Sequence, residues 1–203
     1  MGQNFFGIEE VIRHFGVVPS GDQTVALTSV PLSEWVLRSV INTHILVAVF
    51  PISILRMREV FKKNRLFRNQ NWYNDLFFAK DYGIVGWHLV RKTPVPDSKE
   101  KSLGAQLKLL ENGRRVPSAR VMVYTIIGHF MATSRPLFMV SGDRLFEDVG
   151  VRCIDLDSEG DRICTTVGFF NEKDGFVANH FGEDVSEEEI CLAEECVADI
   201  SLT

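Results

Sequence analysis

Between Pro117 and Ala132 the chain carries a helical pattern with no hydrophilic side, and this stretch constrains the fold more than any other. Val121, Tyr124, Ile127 and Met131 recur at helical spacing, while Met122, Val123, Ile126 and Phe130 fill much of the remaining circumference. Pro117 suits a first helical position, because the N–H it lacks would be unpaired there anyway. A helix that is apolar on most sides must be covered on most sides. The rest of the chain therefore has to supply layers around it.

The last third offers candidate layers. Val149–Leu156 and Arg162–Phe170 read as strands around the turn Asp157-Ser158-Glu159-Gly160, and Asp174-Gly175 turns again into Phe176–Phe181. Three strands joined by short turns form an antiparallel meander. Upstream, Thr43–Phe50 reads as a buried strand ended by Pro51, which cannot donate to a sheet ladder. Ile84–Thr93 alternates and is closed by Pro94 and Pro96, and Thr24–Val30 is a further short strand. Helices are expected at Ile8–Phe15 with Gly16 as its stop, from Ser33 through Val40, at Ile52–Phe61, at Trp72–Tyr82, and from Asp97 or Ser98 to Leu110.

At the far end, Ser186 with Glu189 forms a capping box ahead of Ile190, Ala193, Val197 and Ile200, which predicts an acidic C-terminal helix over 186–200. The expected class is α+β: an antiparallel sheet, including the C-terminal meander, packed against several helices. One globular domain over residues 1–203 is the simpler organisation, with a minor boundary near 134–143. Fifteen Phe, three Trp and a hydrophobic content of 45% supply enough apolar surface for a core of that size.

Charge is divided unevenly. Residues 1–115 hold sixteen Lys and Arg against ten Asp and Glu, whereas residues 116–203 hold six against seventeen. The positive excess is concentrated in Arg56, Arg58, Lys62, Lys63, Arg65 and Arg68, with Glu59 the one acid among them, followed by Asn69-Gln70-Asn71-Trp72-Tyr73. Cations that neutralise phosphates beside aromatics that stack on bases are the physical parts of a single-strand or RNA contact surface. The same residues also suit docking of an acidic protein partner. The negative excess lies in the Asp157–Gly160 turn and in Glu183–Asp199, where eight acids meet no basic residue.

The combination Trp87-His88-Leu89-Val90-Arg91-Lys92, Pro94-Val95-Pro96-Asp97-Ser98, Val116-Pro117-Ser118-Ala119-Arg120, and Val151-Arg152 through Asp155, Asp157, Gly160 and Asp161-Arg162 resembles a group of uncharacterised bacterial proteins of about 200 residues. The resemblance runs from roughly Thr28 to Phe170 and implies no activity. The acidic segment after Gly182 lies outside it.

Other chemistry-bearing positions are sparse. His88, Arg91 and Tyr124 are candidates for a small catalytic pocket, with the imidazole as acid or base and the guanidinium as an anion anchor. A strand places Arg91 on the face opposite His88, so the strand alone cannot gather them. Asp155, Asp157 and Asp161 begin like a calcium loop with Gly160 sixth. The twelfth position is Thr166, which cannot supply the bidentate carboxylate, so no metal site is expected. Cys153, Cys164, Cys191 and Cys196 form no C-x-x-C pair and read as reduced, packed thiols.

Nothing in the chain announces a cofactor. The N-terminus lacks the pattern of a secretory signal, and the apolar runs fall well short of the ~20 residues that span a bilayer, so a soluble cytoplasmic protein with no membrane partner is expected. The leading expectation is a non-enzymatic binding protein that uses the Arg56–Arg68 segment, together with Trp72 and Tyr73, and the acidic C-terminus as contact surfaces. RNA or single-strand binding and a small enzyme are the alternatives.

Overall fold

A computed structural model describes residues 4–64, 66–134, 150–156, 163–171, 175–182, 184–186 and 190–196, with the backbone alone for 156 and 163–171. In chain order the elements are β1 (Phe5–Phe6), α1 (Ile8–Phe15), α2 (Gly21–Ala26), α3 (Glu34–Ser39), β2 (His44–Val49) and α4 (Ile54–Val60). After a 3-10 turn at Lys62–Asn64 come α5 (Phe77–Lys80), β3 (Gly86–Arg91), α6 (Leu103–Leu107), β4 (Arg114–Arg115) and α7 (Ala119–Thr133). The chain continues with β5 (Gly150–Leu156), β6 (Ile163–Asn171), β7 (Gly175–Gly182), β8 (Ile190–Leu192) and β9 (Glu195–Cys196).

Helix starts follow local chemistry. Ser20, Ser33, Ser53 and Ser118 each accept a hydrogen bond from the backbone N–H three residues on, which satisfies a donor the first turn leaves free. Gly16 closes α1 in the left-handed conformation (φ 64°).

The strands form two mixed sheets. The first has the order β1-β2-β3-β9-β4, with β1 parallel to β2 and the other neighbours antiparallel. The second has the order β7-β6-β5-β8, with β5, β6 and β7 antiparallel and β8 parallel to β5. The expected antiparallel sheet with its C-terminal meander is thus matched in part: β5, β6 and β7 are antiparallel neighbours, whereas β1 and β8 pair in parallel. The coarser reading stands: helices and sheets share one mixed α/β architecture.

Helix α7 touches β1, β2 and β3 of the first sheet, β5 and β6 of the second, and α1, α4 and α5. Every residue from Ala119 to His129 is buried, as a helix without a polar face requires. Its start is held twice, by Ser118 and by the Asp155 carboxylate, which accepts the Ala119 N–H from β5. The main apolar cluster runs from Phe6, Phe15 and Val47 through Met122, Tyr124 and Ile126 to Val151 and Phe176, so both sheets share it.

Three local expectations are corrected. Thr24–Val30 is not a strand, because Ser20 and Gln23 exchange backbone and side-chain hydrogen bonds and nucleate α2 over its first residues. The helix from Asp97 or Ser98 contracts to Leu103–Leu107, since Asp97 (φ 58°) and Glu100 (φ 53°) are left-handed. The helix at Trp72–Tyr82 contracts to Phe77–Lys80, preceded by turns that close Asn74 N–H onto Asn71 and Leu76 N–H onto Tyr73.

The expected acidic helix over 186–200 is overturned where the structure describes it. Ile190–Leu192 and Glu195–Cys196 are strands, and every residue from 190 to 196 is buried. An amphipathic helix needs a solvated face, and this segment has none. Residues 187–189 and 197–203, and 135–149 around the expected boundary, lie outside the described residues.

Candidate functional site

The basic segment folds back on itself. Arg58, near the end of α4, donates to the Gln70 carbonyl (2.6 Å) and to Asn74 Oδ1 (2.7 Å), and its guanidinium lies 5.3 Å from the centre of the Tyr73 ring. The loop beyond is tied to β7. Arg68 N–H donates to the Phe176 carbonyl (3.0 Å), Phe176 N–H to the Leu66 carbonyl (2.7 Å), and the Phe67 and Phe176 rings meet edge to face at 5.4 Å. The Gln70 amide behaves like one more strand residue, accepting from Ala178 N–H and donating to the Ala178 carbonyl, both at 3.0 Å.

Between α4, the 3-10 turn and this loop lies a cleft of about 460 Å³ lined by Arg58, Glu59, Lys62, Phe67, Arg68 and Asn69. Three cations face one acid there, and Glu59 already pairs with Arg56 at 2.8 Å. Among the described residues no ion pair engages Lys62 or Arg68. The field inside the cleft therefore favours an anion.

The rest of the expected contact surface behaves differently. Arg56 turns to Glu59, Lys63 is exposed but does not line the cleft, and Arg65 lies outside the described residues. Tyr73 is fully buried, and burial pushes its phenol above the ordinary value. Trp72 donates its indole N–H to the Ala178 carbonyl (3.1 Å) and stacks on His180 at 4.7 Å. Tyr73 is therefore unavailable to a base, and one face of Trp72 is already covered, because both rings complete the contact with β7 and the core.

A second constellation was not legible in the sequence. Strand β9 lies between β3 and β4, and it brings Glu194 and Glu195 into the first sheet at 5% and 2% exposure. Glu194 Oε1 is 3.3 Å from His44 Nε2, 3.5 Å from Arg91 and 3.8 Å from Arg114. Glu195 is 2.7 Å from His88 Nδ1 and 2.7 Å from Arg115. His44 sits opposite Arg91 and Val47 opposite His88 in the register, so the two carboxylates occupy opposite faces, each with its own His and Arg.

The electrostatics follow from that enclosure. Burial alone would raise the Glu194 carboxyl, but the hydrogen bond from His44 and the fields of Arg91 and Arg114 outweigh it and hold it below the usual value. Glu195 is held low against burial in the same way, by His88 and Arg115. Burial depresses His44, with Glu194 opposing, which favours a neutral imidazole.

The expected catalytic trio is not gathered. His88 faces Glu195, Arg91 faces Glu194 on the other side of the sheet, and Tyr124 lies in the core on α7. The Tyr124 ring stacks on Phe15 at 4.4 Å, and burial drives its phenol far above the ordinary value. Asp155 is occupied at the start of α7, and burial raises its carboxyl; Asp157 and Asp161 lie outside the described residues. Among the described residues no group of three His, Cys, Asp or Glu side chains is placed to hold a metal ion. Cys153, Cys191 and Cys196 are buried, and the side chain of Cys164 is outside the described set.

No helix among the described residues is long and apolar enough to cross a membrane. Comparison with protein-family models, with curated proteins and with solved structures gives no match, so the site is read from its own chemistry.

Proposed function

We propose that this chain is a binding protein that takes an anionic partner in the cleft between α4 and the 66–74 loop. The observation that carries the reading is the lining: Arg58, Lys62 and Arg68 around one cavity whose only acid among the described residues, Glu59, is already paired to Arg56. Arg58 is fixed by two acceptors and the backbone at Arg68 is bonded to β7, so little loop ordering remains to be lost on binding. An extended RNA surface is disfavoured, because Tyr73 is buried and Trp72 is stacked on His180. The acidic C-terminus contributes less than its sequence promises, since Glu194 and Glu195 already have internal partners.

Inorganic pyrophosphate serves as the probe, titrated by calorimetry against the full chain. Saturable binding is expected, weakening several-fold between about 50 and about 200 mM salt as the cations are screened. The double variant Lys62→Ala/Arg68→Ala should lose it. Absence of saturable binding, or equal binding by the double variant, overturns the proposal.

A further inference from the structure

Resting on the anion-binding reading of the cleft, we infer that its ligand is a small phosphate monoester that also carries hydroxyl groups and a flat ring, as a nucleoside monophosphate does. The lining supplies one partner for each part of such a molecule. Lys62 and Arg68 are exposed cations without an ion pair among the described residues, and they meet the phosphate. Phe67 is the aromatic of the cleft; its ring is braced edge-on by Phe176 and its backbone is bridged to that residue, so it forms a fixed apolar wall. Glu59 accepts hydroxyl hydrogens, and the Asn69 amide both donates and accepts.

Size and spacing favour a single unit over a polymer. The volume of about 460 Å³ lies within the range of small-molecule pockets, roughly 300–1,000 Å³. A strand of nucleic acid needs successive aromatic platforms, one for each base, and the neighbouring Trp72 and Tyr73 are committed to His180 and to the core. An acidic peptide would use the cations but gain little from an aromatic wall beside them. The cleft instead places one aromatic among its cations, the pairing that one base and one phosphate require.

The test compares adenosine monophosphate, ribose 5-phosphate, adenosine and pyrophosphate on the unmodified protein. Adenosine monophosphate should bind roughly tenfold more tightly than ribose 5-phosphate, because the base adds its contact with Phe67. Adenosine should bind far more weakly than either. In nuclear magnetic resonance of the complex, adenine protons should show cross-relaxation to the Phe67 ring. Phe67→Leu, which keeps the wall apolar, should bring the affinity for adenosine monophosphate down toward that for ribose 5-phosphate. Equal affinity for the two monophosphates, or a bound nucleotide without contact to Phe67, overturns this inference while the anion site stands. Failure of pyrophosphate as well as the monophosphates overturns both.

Discussion

Glu194 and Glu195 follow one another in a buried stretch, and alternation along the strand forces them to opposite faces of the sheet. A buried carboxylate is tolerated when it is paired and hydrogen-bonded, so each face must provide its own cations and hydrogen-bond donors. His44, Arg91 and Arg114 do this for Glu194, and His88 and Arg115 for Glu195. Glu195→Gln should cost roughly 1–3 kcal/mol in denaturant unfolding, because it removes the charge that His88 and Arg115 share. Arg115→Ala should cost no more than about 1 kcal/mol, since that side chain is 57% exposed. Equal costs for the two would show that the buried charge is not the dominant element. The sequence carried a signal for this pair, two adjacent acids inside the apolar run Ile190 to Val197, but helical spacing of Ile190, Ala193 and Val197 competed with it. Periodicity over so few residues cannot separate a short buried strand from a helix.

Elements were most legible where their own residues settle them. Helix α1 begins and ends as its spacing and Gly16 predict, and α7 is covered along its length because no side of it is polar. Where a distant partner decides, local spacing does not reveal the element: β8 exists by pairing with β5, and β9 by insertion between β3 and β4. One glycine shows how closely α7 is packed. A Cβ at Gly128 would stand 3.0 Å from the Phe6 ring, so the helix approaches β1 through the missing side chain. Alanine would gain about 1 kcal/mol of helix propensity. Against that, overpacking a full core costs about 1–3 kcal/mol, so Gly128→Ala should lower the melting temperature. An unchanged or raised value would mean that Phe6 yields without loss.

At the scale of the whole molecule, opposite charges of the two halves meet in the first sheet. Glu194 and Glu195 of the C-terminal segment reach Arg91, Arg114 and Arg115, while Arg58, Lys62 and Arg68 of the basic segment line the cleft. This arrangement has a pH signature. Glu194 and Glu195 are depressed in the folded chain, so their stabilisation is full above the unfolded value near ~4.3 and is lost as pH falls through the folded values. His44 is also depressed, so acidification below ~6.5 protonates the unfolded chain first and acts in the same direction. Asp155, raised by burial, works oppositely, favouring the folded chain as it protonates. Thermal stability is expected to fall below pH ~6.5 as His44 protonates in the unfolded chain, and to fall further below ~4.3 as the carboxylates protonate, with only this second fall shallower in Glu194→Gln/Glu195→Gln. A slope unchanged by the double substitution would remove these carboxylates from the account.

The sequence by itself determined the elements whose start, stop and exposed or buried faces are written in adjacent residues: α1, α4, α7, the strands β2 and β3, and the meander. It also located the basic segment that lines the cleft. Tertiary structure alone decided which cations share a cavity, that Tyr73 turns inward, and that an acidic C-terminal stretch becomes two sheet strands. Those outcomes depend on partners tens of residues away, and neither charge nor hydrophobic spacing along a chain records which distant backbone will complete a ladder or neutralise a buried carboxylate.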